Sequence, residues 1–235
     1  MIFERHELKY MISPDQLAII KDAIKEHMVA DKHGESTICS LYFDTPSAQL
    51  IRRSIEHPLY KEKLRLRSYG VATADTNVFV ELKKKYKKVV YKRRITLKEK
   101  DAMRYLLNDE IDTHTQITDE IDYFKKYYTG IAPAMLLSYK RQAYYSATDH
   151  NFRITFDSEV LWRDYDLSLS KGVYGTPILR PDQILMEVKT KDAIPIWMAK
   201  ILSDNHIYKT SFSKYGTAYR MQQTNKIKER NISNV

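Results

Sequence analysis

Two rhythms run along the chain. Where apolar and polar residues alternate one by one, successive side chains point to opposite faces and a β-strand is expected. This pattern holds in "IFERHELKYMI" (2–12), "STICSLYFDT" (36–45), "KEKLRLRSYG" (61–70), "NVFVELKKKY" (77–86) and "VVYKRRITL" (89–97). It returns in "AMLLSYKRQAYYS" (134–146), "NFRITFDSEV" (151–160) and "QILMEVKT" (183–190). Residues 77–97 and 134–160 predict hairpins, the second turning at Asp149, His150 and Asn151. The other rhythm is helical. Ser13 and Pro14 supply an N-cap and a first helical residue, followed by a stripe of Leu17, Ile20, Ile24 and Met28. Shorter helices are expected at 47–55, 98–107, 118–129 (stopped by Gly130) and 195–205, opened by Pro195. "TSFSKYGTAY" (210–219) reads as a loop entering a last helical turn, and the polar tail 226–235 as frayed.

Strands outnumber helices and follow one another directly. The fold class is therefore α+β with a large antiparallel sheet, open or closed. No repeat, low-complexity stretch or linker interrupts the chain, so residues 1–225 read as a single domain.

The polar faces of these strands are unusual. Lys61, Lys63, Arg65, Arg67 and Tyr69 share one face, with Leu64 and Leu66 opposite. Arg5, Glu7, Lys9 and Met11 share a face on the first strand; so do Phe79, Glu81, Lys83 and Lys85 on a later one. Lys92 pairs in parity with Arg94, Arg141 with Leu137 and Tyr139, Arg153 with Thr155 and Asp157, and Glu187 with Leu185 and Lys189. An antiparallel sheet ordinarily keeps one wet face. Here that face repeats Arg and Lys, with a Glu two residues before a Lys in three strands. Like charges across strands destabilise a sheet, so such a face needs counter-anions. If the sheet closes into a barrel, the face turns inward, and a lumen of this kind suits a chain of phosphates. Arg forks grip phosphate oxygens, Lys supplies point charges, and the glutamates would bind a divalent cation.

Composition narrows the field. The chain has 235 residues, a net charge of +9 and a pI near 9.3, which points to an anionic partner. One cysteine, Cys39, excludes an internal disulfide and a Cys-based zinc site. Neither a signal peptide nor an apolar run of membrane length is seen, so a cytoplasmic protein is expected. No Gly-rich phosphate loop occurs, leaving side chains to handle any phosphate. His6 falls on the non-cationic face as a packing residue, His27 and His33 lie towards solvent, and Cys39 belongs to the core. "ELKKKYKKVVYKRR", with Tyr86 and Tyr91 interleaved, also permits a nucleic-acid patch with salt-sensitive binding.

The motifs "RHELKY", "SLYFDT", "KLRLRSYG", "VELKKK", "KRR", "YKRQAY", "RITFD", "LMEVKT" and "FSKYG" occur in this order over roughly residues 3 to 220. In that order they resemble the VTC domain, the polyphosphate polymerase domain within the triphosphate tunnel metalloenzymes, or CYTH-like superfamily. The resemblance implies a closed eight-stranded antiparallel β-tunnel with flanking helices. It implies transfer of the terminal phosphate of ATP to a polyphosphate chain, with Mn²⁺ or Mg²⁺ as cofactor. Carried over by motif, Lys9, Arg65, Arg67, Lys83, Lys92, Arg141, Arg153 and Lys214 form the catalytic set, and Glu187 binds the metal. The strand parities add Arg5, Lys63, Arg94 and Lys189 as phosphate-binding residues, and Glu7 and Glu81 as metal ligands.

One departure separates activities. Hydrolytic and cyclase branches begin with ExExK, whereas this chain reads Arg5-x-Glu7-x-Lys9. A guanidinium cannot act as a general base but can hold an acceptor phosphate. The expectation is therefore an ATP–polyphosphate phosphotransferase, with a triphosphate hydrolase and a non-catalytic polyphosphate or RNA binder as alternatives. The partners expected are ATP and inorganic polyphosphate, without nucleic acid. The SPX domain and membrane helices of the fungal complex are not expected in this chain.

Overall fold

A computed structural model describes residues 6–56, 58–87, 89–108, 110–111, 113–149 and 151–233. Among them the strands are β1 (His6–Ile12), β2 (Met28–Asp44), β3 (Tyr60–Tyr69), β4 (Asn77–Tyr86), β5 (Val89–Lys98), β6 (Ala132–Ser146), β7 (Arg153–Arg163), β8 (Thr176–Pro177) and β9 (Ile184–Thr190). The helices are α1 (Pro14–Ile24), α2 (Gln49–Ile55), α3 (Glu99–Asn108), α4 (Gln116–Tyr127), α5 (Ile196–Asp204) and α6 (Lys214–Ser233).

All nine strands join one sheet in the order β1-β9-β7-β6-β2-β3-β4-β5, with β8 added to β7. The α+β class stands, but the closed eight-stranded tunnel is not what the pairing gives. β1 and β5 end the path and do not pair with each other among the described residues. The outer edge of β1 is taken instead by a short extended segment: Tyr10 bridges Lys209, and the Thr210 N–H donates to the Lys9 carbonyl at 2.7 Å. At Lys9 and Tyr10 that edge already has a hydrogen-bonding neighbour.

The chain divides into two compact units. One comprises residues 1–37, 139–160 and 179–212; the other comprises 38–138, 161–178 and 213–235. The first unit packs α1 and α5 on β1, β7 and β9. Ser13 caps α1 in a reciprocal box with Gln16, and Ile20 and Ile24 enter a core with Phe152, Ile154, Met186, Val188 and Met198. Met28 joins that core from β2, not from the end of α1 as its spacing suggested. In the second unit, Leu64, Leu66, Val78, Val80 and Leu82 turn one face of β3 and β4 towards Tyr105 and Leu106 of α3 and Ile121 and Phe124 of α4. Each fully buried aliphatic side chain contributes on the order of 2 kcal/mol. That apolar face holds the alternation in register and leaves the charged residues on the other side.

Three local features differ from the alternation pattern. β2 extends back to Met28 through exposed polar residues, which alternation does not mark. β8 is two residues long beside β7, and Gly175 (φ +147°) precedes it because a Cβ there would collide with the Trp162 carbonyl. The segment 210–233 is not a loop with a frayed tail: α6 runs for 20 residues to Ser233. It has no internal Pro, its one glycine lies in its first turn, and residues 224–231 are exposed.

Asp44 ties this second unit together. Buried at 2 % exposure, it accepts from the backbone N–H groups of Thr45 (2.8 Å), Leu50 (2.9 Å) and Ile51 (3.0 Å), and from the Tyr215 hydroxyl (3.0 Å). One carboxylate thus serves the start of α2 and anchors α6. Replacing Asp44 with Ala strands these donors, and urea unfolding should show a loss of about 3 kcal/mol.

Candidate phosphate and metal sites

The charged face of the second unit is a grid set by strand register. Ser40, Arg67, Phe79 and Thr96 form one row across β2, β3, β4 and β5. Tyr42, Arg65, Glu81 and Arg94 form the next. Lys63, Lys83 and Lys92 form a third. Directly opposed side chains in such pairs lie about 5 Å apart. Two like charges at that separation repel by about 3 kcal/mol at an effective dielectric constant near 20. In these three rows six cations meet one carboxylate, Glu81, and Lys61 opposite Lys85 adds a further like-charged pair on the same face.

Glu81 is 1 % exposed and fully engaged. Oε2 accepts from Arg65 Nε at 2.7 Å and Nη2 at 2.6 Å. Oε1 accepts from Arg94 Nε at 2.7 Å and from Arg94 Nη2, and lies 2.6 Å from Lys92 Nζ. Burial alone would raise the carboxyl, but Arg65, Arg67 and Lys92 outweigh it and hold Glu81 well below the usual carboxylate range. Burial pushes the Lys92 ammonium down to about 8 against the pull of Glu81. Arg67 is buried, with Nε donating to Ser40 Oγ at 3.2 Å, and the Arg94 guanidinium lies 4.4 Å from the Phe79 ring centroid. Lys83 makes no ion pair among the described residues. Lys214 opens α6, next to Tyr215, over whose ring Lys63 sits at 5.8 Å.

The first unit has its own charged grid, and its balance is different. Glu7, Lys189 and Arg153 stand in register across β1, β9 and β7, followed by Lys9, Glu187 and Thr155. From β6, Arg141 donates Nε and Nη2 to Asp157 Oδ1 and Oδ2, each at 2.6 Å, and Nη2 to Glu187 Oε2 at 3.1 Å. Lys9 Nζ lies 3.4 Å from Glu7 Oε1 and 3.6 Å from Glu187 Oε1, and donates to the Phe212 carbonyl at 2.9 Å. Lys189 lies 3.8 Å from Glu7 Oε2. Four cations here meet three carboxylates. Two polar atoms are buried without a partner, Arg153 Nε and Thr155 Oγ1. Such donors call for an additional acceptor, a water or a ligand oxygen. Arg153 otherwise stacks on Tyr145 at 4.6 Å.

Of the expected residues, then, Arg65, Arg67, Lys63, Lys83, Lys92, Arg94, Glu81 and Lys214 belong to the second unit. Lys9, Glu7, Lys189, Glu187, Arg141 and Arg153 belong to the first, and Arg5 lies outside the described residues. Ser40, Tyr42 and Asp157 were not assigned a role from the sequence. Asp157 shares parity with Arg153, and Tyr42 with Ser40, which is the signal that could have marked them.

The donor chemistry separates the three candidate metal ligands. Glu7 and Glu187 both flank Lys9 at distances longer than a strong hydrogen bond, and an all-oxygen set suits Mg²⁺ or Mn²⁺. Their chemistry fits a divalent ion, with two protein ligands and the other positions left to non-protein oxygens. Both oxygens of Glu81 are already committed to cations. Among the described residues, the one group of three potential ligands within 4.8 Å is His114, Asp119 and Asp122, which contains none of these glutamates. No described helix is long and apolar enough to cross a membrane.

Comparison with known proteins bears on this arrangement. The family model described as the VTC domain matches residues 4–222. None of the curated proteins matches the sequence. Among solved structures, a candidate adenylate cyclase from Bacillus halodurans aligns with TM-score 0.57 at 13% identity, covering 89% of this chain and 95% of that one. HpAC1 from Hippeastrum, a candidate adenylyl cyclase described as having a dominant triphosphatase activity, aligns with TM-score 0.51 at 15% identity, covering 89% and 92%. A candidate adenylate cyclase from Vibrio parahaemolyticus gives 0.50 at 12% identity, covering 93% and 99%. At these identities the likeness is one of fold.

Glu81→Gln should leave the six cations without their anion and lower stability by about 3 kcal/mol or more. Tripolyphosphate or sulfate should restore part of the lost melting temperature. The folded carboxyl is depressed, so its contribution is present above the ordinary Glu value of about 4.3 and is lost as pH falls through the folded value. The gap between wild type and variant should therefore hold from neutral pH to about pH 4 and shrink only below it.

Proposed function

The chain belongs to the VTC domain family, and from that premise we propose that it transfers the terminal phosphoryl group of ATP to inorganic polyphosphate, releasing ADP. The observation that carries this reading is the row Lys63, Lys83 and Lys92 beside the row Arg65, Glu81 and Arg94. Lysines opposed in register have no stabilising purpose of their own; they become favourable when an extended polyanion lies across them.

Phosphoryl transfer asks little covalent chemistry of a protein. Donor and acceptor must be held in line, and the charge on the transferring group must be offset. Arg65, Arg67 and Arg94 would grip phosphate oxygens in forks, and Lys63, Lys83 and Lys92 would follow the chain as point charges, with Lys214 adding a further ammonium. Donor and acceptor are both anionic, so their mutual repulsion rises with each phosphate, which accounts for the surplus of cations over Glu81. Glu81 is better suited to be the internal counter-ion of Arg65, Lys92 and Arg94 than a metal ligand. It holds their side chains extended over the sheet and gives them up to phosphate in part.

In the first unit, Arg141, Arg153, Lys9 and Lys189 would bind phosphate oxygens, with Arg153 Nε and Thr155 Oγ1 gaining the acceptor they lack. Glu187 and Glu7 would hold Mg²⁺ or Mn²⁺, and that ion would screen phosphate charge when bound. Arg5, by sequence, occupies the place where a hydrolase carries a carboxylate, which favours an acceptor phosphate over an activated water. The triphosphatase activity in the description of HpAC1 keeps hydrolysis as the second reading.

Two measurements test this. Tripolyphosphate should raise the melting temperature, whereas orthophosphate at matched ionic strength should do much less, having too few oxygens to span the grid. Incubation with ATP and Mn²⁺ should give ADP and acid-labile polymer, with free phosphate minor. Stoichiometric phosphate without polymer would establish the hydrolase, and no turnover with either metal would leave a binding module. Arg67→Ala and Glu187→Gln should each reduce turnover by more than about tenfold, or about 1.4 kcal/mol of transition-state stabilisation.

A further inference from the structure

Tyr42 stands at the end of the row that holds Arg65, Glu81 and Arg94, yet it belongs to no ion pair. It is 8 % exposed. Its hydroxyl accepts from Arg65 Nη1 at 3.1 Å, and its ring stacks on Tyr215 with centroids 4.3 Å apart at 24°. Accepting uses only part of a phenol's capacity, because the O–H remains a donor. Among the described residues no group accepts that hydrogen. The neighbouring Tyr215 differs: its hydroxyl donates to Asp44 Oδ2 at 3.0 Å, and that bond fixes the ring on which Tyr42 rests.

The surroundings decide which acceptor would suit. β3 contributes Arg65, Lys63 and Arg67, α6 contributes Tyr215 and Tyr219, and Asp44 on the same strand is occupied by Tyr215 and the start of α2. Cations predominate, so an anionic oxygen is the acceptor they favour. We propose that Tyr42 is a positioning residue of the phosphate site, donating its hydroxyl hydrogen to an oxygen of the bound oligophosphate and so coupling binding to its own protonation. The inference rests on the phosphate-binding reading of this face and adds its regulation by pH.

The titration behaviour agrees with the geometry. Burial would raise the Tyr42 phenol, but Arg65, Lys63 and Arg67 more than offset it and bring it to about 8. Burial and Asp44 move Tyr215 the other way, well above its usual range, so it stays a donor to Asp44. Above pH 8 Tyr42 therefore becomes a phenolate, an internal partner for Arg65 that competes with phosphate and offers no hydrogen. Lys92 loses charge over the same range, so a fall in affinity with pH would not by itself single out Tyr42. The ultraviolet absorbance of tyrosinate does.

The test is an absorbance titration of the full chain, with and without tripolyphosphate, alongside calorimetric binding of tripolyphosphate to wild type and Tyr42→Phe. Wild type should show one tyrosine ionising near pH 8, absent from the variant, and saturating tripolyphosphate should move that ionisation up by about one pH unit or more. The variant keeps the ring and its stack on Tyr215. It should bind tripolyphosphate about fivefold more weakly at neutral pH and lose less affinity than wild type up to about pH 9. Wild-type binding with an unmoved tyrosine ionisation would overturn the role of Tyr42 alone. Absence of binding by wild type would overturn the phosphate reading, and this proposal with it. The ligand-induced shift is read on wild type, so the outcome does not depend on how well the variant folds.

Discussion

Repulsion among cations on β3, β4 and β5 is the constraint on which the second unit depends. The same alternation that sends Leu64, Leu66, Val80 and Leu82 into the core sends Arg65, Arg67, Lys83 and Lys92 to one face. A slip of one residue would exchange the two sets, so core and charged face share a single determinant, the register. Within that register one carboxylate is placed where it touches Arg65, Arg94 and Lys92 together. A buried carboxylate with several charge-assisted partners is stable, whereas the same carboxylate with one of them removed is costly. Glu81 therefore makes the face possible without neutralising it, and the remaining positive charge is what the proposed phosphate binding draws on.

The two units solve the same electrostatic problem differently. In the first, anions and cations alternate: Glu7 with Lys9 and Lys189, Glu187 with Lys9 and Arg141, Asp157 with Arg141. That surface is close to self-neutralised, and its carboxylates have the oxygen chemistry a hard cation needs. In the second, the three central rows set six cations against one carboxylate, which leaves a surplus of positive charge. The proposed assignment of metal to Glu7 and Glu187, and of phosphate chiefly to the Arg65–Arg94 grid, rests on this difference in balance.

Buried polar contacts connect the charged face of the second unit to its helices. Asp44 holds the start of α2 and the hydroxyl of Tyr215, Tyr215 stacks on Tyr42, and Tyr42 accepts from Arg65. Asp44, Tyr42 and Tyr215 are buried and Arg65 is half-buried, so these hydrogen bonds are made where leaving them unmade would be expensive. The packing of α6 and the orientation of Arg65 are thus parts of one network.

Local periodicity determined much of this protein. The strand faces, the capped start of α1, the β4–β5 hairpin and the cationic character of the grid all follow from residues two or four apart, whose geometry is set by the backbone alone. The ordered motifs identified the family for much the same reason, since all of them except FSKYG, at the start of α6, follow one strand's alternation. Tertiary structure decided what depends on residues far apart. Glu81 stands between Arg65 and Arg94 because β3 and β5 flank β4, and no spacing within one strand contains that neighbour relation. The Lys209–Thr210 segment, remote in sequence, bonds to the outer side of β1 at Lys9 and Tyr10. The extent of α6 beyond Tyr219 was hidden because its second half buries no stripe to read. Tyr42 looked like any strand tyrosine until pairing set it against Arg65 and packing laid it on Tyr215; its surroundings, not its identity, leave its hydroxyl hydrogen without an acceptor among the described residues.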